Sequence, residues 1–266
     1  MLIVEKSRDT NGVMIKGDFF DLDRLYFAIM KFTGLHGIEA QCYFDGCSEA
    51  CENLLGLCYE IRHAWQGDRG IEQVYNGIQD EWFDDSKGLN VCLQEDVDED
   101  ELDIDEEDND DVTYHSDTFR FFRRNFPDIS SQNAYFSIPL SFPEITFYVL
   151  ILSDLLKKKN VFLRAVEDAV EHAGALQALN KEYYYFNAET DIARIIMLVK
   201  QVLRTLYVFI GEDEYFKLIH EFDQHNDFAA NCNLERINQI ITDYGKQEHK
   251  QDDPKILTNL LTSFFE

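Results

Sequence analysis

Residues 2–32 read LIVEKSRDTNGVMIKGDFFDLDRLYFAIMKF, and a single change of hydrophobic period inside this stretch decides the fold class. Short apolar runs at 2–4 and 13–15 flank Asp9-Thr10-Asn11-Gly12. An Asn-Gly pair between such runs predicts a β-hairpin. Gly17-Asp18 then breaks the strand. Asp18 or Asp21 is placed to cap the next segment, where Leu22, Leu25, Tyr26 and Ile29 recur at helical spacing. A hairpin leading straight into an amphipathic helix is the start of an α+β protein.

Outward from there, Gly34 and Gly37 end the helix. Residues 38–44 alternate apolar and polar, as a half-buried strand does, and Asp45-Gly46 turns the chain. A second helix is expected over 48–65, with Cys51, Leu54, Leu55, Cys58, Ile61 and Trp65 on one face and Gly67 as its stop. A short helix is expected within 71–83, and strands at 91–93 and 134–138. From Ser141 onward the pattern is helical. Ser141-Phe-Pro-Glu144 fits a capping box ahead of a helix over 145–156. Helical spacing continues over 161–179 and is clearest over 191–210, in Ile192, Ile195, Ile196, Val199, Val202, Leu203, Leu206 and Phe209. Shorter helices are expected near 213–223, 233–244 and 254–265. The expected fold is α+β and mainly helical: an N-terminal hairpin and short strands with helices, then a C-terminal helical array. Its parts are an α+β segment over 1–94, an acidic loop or insertion over 95–118, and a mainly helical segment over 119–266. Whether the first and last share one core leaves no trace in periodicity.

The insertion is set apart by charge. Of the 17 residues in 95–111, EDVDEDELDIDEEDNDD, 13 are Asp or Glu. The whole chain has 266 residues and a formal charge of −27, so removing those 13 charges leaves −14 on the rest. A field of that sign repels nucleic acid and anionic membranes and draws in a basic protein surface. The tract therefore supplies candidate interaction residues in Asp96, Asp98, Asp100, Asp103, Asp105, Asp108 and Asp110, or else a solvated loop held extended by its own repulsion. Asp96, Asp98, Asp100 and Glu107 match four positions of an EF-hand loop, but the glycine its turn requires is Glu101. Arg120, Arg123 and Arg124 lie close enough downstream for the tract to fold back on them.

The six cysteines fall at 42, 47, 51, 58, 92 and 232, without a CxxC knuckle, so neither zinc nor any other metal or cofactor is expected. The N-terminus reads as a strand and a turn rather than a secretory leader, and the longest apolar run, 145–152, is too short to span a membrane. A cytoplasmic protein with reduced thiols is the expectation. His220 and His225 stand five apart rather than the four of a zincin helix. Nucleophile elbows, phosphate loops and dinucleotide fingerprints are absent, which argues against an enzyme of familiar type.

One polar cluster stands out. LCYEIRHAWQGDR, residues 57–69, gathers Arg62, His63, Asp68 and Arg69 at a helix C-terminus. Cations suit that end of the helix dipole, which is the plain explanation. The chemical alternative makes His63 a proton carrier oriented by Asp18, Asp21 or Asp68. Glu60-x-x-His63 is half of a di-iron pattern whose second half is missing.

GVMIKGDFFDLDRLYFAI (12–29) together with LGLCYEIRHAWQGDR (55–69) resembles a bacterial protein family of unknown function. The resemblance lies mainly in residues 12–80, with a fainter similarity at 139–152. It implies a cytosolic protein of a bacterium or phage and carries no activity, cofactor or catalytic residue.

Three functions are expected from these features. The first is an acidic interaction module for a basic protein, of the kind used by immunity proteins and anti-defence inhibitors, an analogy of charge alone. The second is an enzyme or small-ligand binder around His63. The third is a structural protein whose acidic loop keeps it soluble. The sequence leaves the oligomeric state open.

Overall fold

Strands β1 (Ile3–Lys6) and β2 (Gly12–Gly17) pair antiparallel, with Val4 opposite Ile15 and Lys6 opposite Val13. This is the hairpin expected from the sequence, and the Ser7 N–H closes it on the Gly12 carbonyl at 3.0 Å. The computed structural model describes residues 2–7, 11–35, 42–75, 132–160, 188–246 and 253–266. Gly12 proves to be the first residue of β2, and its φ is not positive. Its small size serves another purpose: a Cβ there would land on the carbonyl of Leu140 in the neighbouring strand β4 (Gln132–Ser141).

Strand β4 pairs antiparallel with β2, setting Val13 against Leu140 and Ile15 against Ile138. Side chains alternate across a pleated strand, so these residues and Phe136 share one face. All five are buried. Strand β3 (Gly70–Tyr75) completes the sheet in the order β1-β2-β4-β3. A strand therefore stands at 70–75, at the start of the segment 71–83 within which a short helix was expected; residues 76–83 lie outside the described residues. Extended pairing prevails over a weak helical pattern, since propensity in so short a segment yields to tertiary context.

Helix α1 (Phe19–Thr33) begins with a reciprocal cap: the Asp21 N–H donates to Asp18 Oδ1 at 2.8 Å, and the Asp18 N–H donates to Asp21 Oδ2 at 3.4 Å. Gly34 ends the helix in the left-handed region. The described part of the expected strand over 38–44, residues 42–44, forms no ladder. It bends instead, with the Tyr43 N–H on the Thr33 carbonyl and Phe44 buried against Phe32. Helix α2 (Ser48–His63) comes next, inward-facing through Leu54, Leu57, Cys58 and Ile61.

Helix α3 (Phe142–Lys157) is the centre of the helical part. The Ser141 hydroxyl accepts from the Glu144 N–H at its start, as the capping pattern predicts. The helix is apolar on nearly every side, the mark of a helix enclosed by others. Around it or beside it lie α4 (Ala188–Ile210), α5 (Glu212–Gln224), the short α6 (Phe228–Asn231), α7 (Leu234–Gly245) and α8 (Pro254–Thr262), closed by a 3-10 turn at Ser263–Phe265. Phe142 stacks on Phe209 of α4 at 4.4 Å between ring centroids. Asp154, only 2% exposed, accepts from the Ala229 N–H at 3.1 Å and pairs with Lys158 at 3.6 Å, which ties α3 to α6. Helix α4 also shields the edge strand β1: Gln201 and Thr205 donate to the Leu2 and Val4 carbonyls.

The protein is thus mainly helical α+β. Met1–Gly70 and Phe136–Glu266 form one compact unit. A second unit, Ile71–Tyr135, is described only in its strand residues 71–75 and 132–135. The boundaries expected at 94 and 118, the strand at 91–93, the acidic tract with Asp96, Asp98, Asp100, Asp103, Asp105, Asp108 and Asp110, the arginines at 120, 123 and 124, and the helix over 161–179 lie outside the described residues.

Candidate functional site

The polar cluster sits where α2 runs out. Its last turn widens into a π turn over Ala64–Asp68, and Gly67 departs from it at φ 86°. That left-handed conformation is costly for any residue with a Cβ. It reverses the chain, so the Asp68 carboxylate returns to the residue five positions earlier. Asp68 Oδ2 lies 2.7 Å from His63 Nδ1. A carboxylate there makes Nδ1 the donor and leaves Nε2 as the proton acceptor. The Tyr59 ring, half exposed, covers His63 at 4.1 Å between centroids. The Arg62 guanidinium lies 5.7 Å from the same Tyr59 ring, and Arg62 Nε is buried without a hydrogen-bond acceptor among the described residues.

Arg69 closes the other side. Its Nε and Nη2 donate to Glu60 Oε2 at 2.9 and 2.8 Å, an arrangement in which one planar guanidinium edge grips one carboxylate. Behind Glu60 stands Glu144 in the first turn of α3. Burial raises the Glu144 carboxyl above the ordinary glutamate range; hydrogen bonds from Ser141 and Tyr148 oppose the rise, and the Glu60 charge adds to it. Burial likewise raises the Tyr148 hydroxyl, with the two carboxylates contributing. Tyr148 points at α2, where a Cβ on Gly56 would come within 2.6 Å of its hydroxyl oxygen.

Of the residues singled out from sequence, Arg62, His63, Asp68 and Arg69 gather at this end of α2. Asp18 and Asp21 stand at the start of α1. Their carboxylates cap α1. The helix itself is close by, because Trp65 packs on Phe19 and Tyr26 at 5.8 and 5.2 Å between centroids. Glu144 and Tyr148 did not stand out along the chain. The capping role accounted for Glu144, and Tyr148 was lost inside an apolar run. A polar hydroxyl in the middle of a buried helix was the signal, since such a group requires a partner.

No group of three or more metal-ligating side chains is placed to hold an ion among the described residues. No described helix is long and apolar enough to cross a membrane. The cluster can orient an imidazole, present two arginines, and hold a proton on a buried carboxyl. Searches of curated proteins and of solved structures return no match. Residues 2–90, which carry the hairpin, α1, α2 and this cluster, match the family model of a domain of unknown function (DUF6904).

Proposed function

We propose that the protein is an acidic interaction module of the cytoplasm that binds a protein partner through that partner's basic surface. The observation that carries this is charge: 51 acidic against 24 basic residues, and still −14 with residues 95–111 set aside. Support comes also from where carboxylates stand on the described surface. Asp45, Glu49 and Glu52 are exposed around the start of α2, and Glu212 and Asp213 at the start of α5. Like charges on a rigid surface raise the rate of encounter with a cationic partner more than they raise final affinity. The test is titration calorimetry with a purified basic partner at about 50 mM and about 500 mM salt, where screening differs several-fold. Affinity should fall at least about tenfold between the two and weaken again when 95–111 becomes a neutral linker. Binding indifferent to both changes would end this reading.

A second reading is favoured by one distance, the 2.7 Å between His63 and Asp68. It makes the α2 terminus a small-ligand or catalytic site with His63 as proton acceptor and Arg62 and Arg69 as anion contacts. Ring resonances of His63 and Tyr59 would then move together on adding a small carboxylate or phosphate, and Asp68→Asn would suppress the response. Resonances that ignore both anions would remove it.

A further inference from the structure

A second group of chemically active side chains lies at the opposite end of α2. Cys42 Sγ is 3.0 Å from Cys51 Sγ, across the bend that precedes the helix. Cys42 is partly exposed and Cys51 is wholly buried in the first turns of α2. The Phe44 N–H points at Cys42 Sγ from 3.4 Å. A third thiol, Cys47, is buried beside the pair, 3.6 Å from Lys158 Nζ. None of the three is joined in a disulfide.

We propose that Cys42 and Cys51 form a redox dithiol, with Cys42 as the attacking thiol and Cys51 as the resolving one, and that its substrates are small disulfides of neutral or positive charge. A disulfide bond needs sulfurs about 2.05 Å apart, so the pair closes by a movement of about 1 Å. Attack requires the thiolate, and the site supplies what stabilises one. Once Cys42 is ionised the Cys51 S–H can donate to it, which brings it down to about 7; burial opposes this and the Phe44 N–H assists. The same bond, with burial, pushes Cys51 up, so the buried partner keeps its proton until it is needed.

The reaction balances with the disulfide as oxidant. Cys42 thiolate attacks one sulfur of R–S–S–R, forming a mixed disulfide and releasing one thiolate, which takes a proton from solvent. Cys42 no longer accepts the Cys51 proton. Cys51 loses it to solvent, attacks Cys42 Sγ, and expels the second R–S⁻, which is then protonated. Counting the proton that Cys42 released to solvent on ionising, the protein gives up two electrons and two protons, and the substrate leaves as two thiols. Charge selects the substrate: Asp45 and Glu52 act on Cys42, and Glu49 stands on the same exposed helix start. Anionic disulfides are repelled from such a rim, an effect that salt screens.

The test treats the reduced full-length chain with cystamine, a dication, and with oxidised glutathione, an anion. Intact mass should show loss of two hydrogens, peptide mapping should join 42 to 51, and Cys51→Ala should stop at the mixed disulfide. The rate should rise with a midpoint near pH 7, the value to which Cys42 is brought. It should favour cystamine by about tenfold at low salt, a preference that high salt erases. Cys42→Ser reacting as fast as the native chain would overturn the proposal. So would a bond mapped to Cys47, Cys58, Cys92 or Cys232 in place of the pair, or equal rates for both reagents at low salt.

Discussion

Replacing Arg69 by Met removes the cation that pairs with Glu60, and the cost should depend on pH in a defined direction. Arg69 contacts Glu60 at 2.8 and 2.9 Å, with the two side chains 32% and 24% exposed. At an effective dielectric near 20 the attraction is about 4 kcal/mol, and partial exposure screens it to about 1–2 kcal/mol. Without Arg69, Glu60 faces Glu144 as an uncompensated negative charge, and Glu144 is already raised by burial with Glu60 as a contributor. A carboxyl raised in the folded state contributes stability that is fully present below its ordinary unfolded range and is lost as pH rises through the folded value. The substitution should therefore cost more at pH 8 than at pH 5, by about 0.5–1 kcal/mol. Glu144→Gln removes the like charge while keeping the shape, so the same substitution in that background should cost about 0.5–1 kcal/mol less at pH 8. Urea unfolding followed by circular dichroism at the two pH values measures both effects. Equal costs at pH 5 and pH 8, unchanged by Glu144→Gln, would refute the idea that these three groups form one electrostatic unit.

Other substitutions probe the frame around the cluster. Asp154→Ala leaves the Ala229 N–H buried without its acceptor and should destabilise the fold by about 2–4 kcal/mol, with Asp154→Asn roughly half as severe, read from the shift of the urea midpoint. Gly12→Ala drives a Cβ into the Leu140 carbonyl and must part β2 from β4; a loss of about 2 kcal/mol or more is expected in thermal melting. Gly67→Ala at φ 86° should cost about 1–2 kcal/mol and break the His63–Asp68 contact, seen as a change in the imidazole nitrogen resonances.

Much of the local structure was legible in the residues themselves. The hairpin, the cap on α1, the glycine stop after α2, the Ser141 cap and the long stripe of α4 all rest on contacts within a few positions along the chain. Two expectations met a different outcome in their described residues. Residues 71–75, at the start of the segment where a short helix was expected, form β3, and the end of the strand over 38–44 became a bend, because contacts made in packing outweigh local preference. The Asn-Gly signal pointed to the right hairpin through a different property of glycine. Gly12 is needed for its lack of a side chain against β4, a strand more than a hundred residues distant.

Half of the candidate cluster was legible too, since Arg62, His63, Asp68 and Arg69 lie within one turn and its return. By itself the sequence determined the helix periodicity, the caps, the acidic charge and which polar residues share one helix end, because all of these are set by neighbours along the chain. Only the tertiary structure decided that Glu144 and Tyr148 stand behind Glu60 and that Cys42 meets Cys51 across a bend. Such pairings depend on how helices and strands pack, and a packed interior brings together groups whose separation in sequence carries no periodic mark.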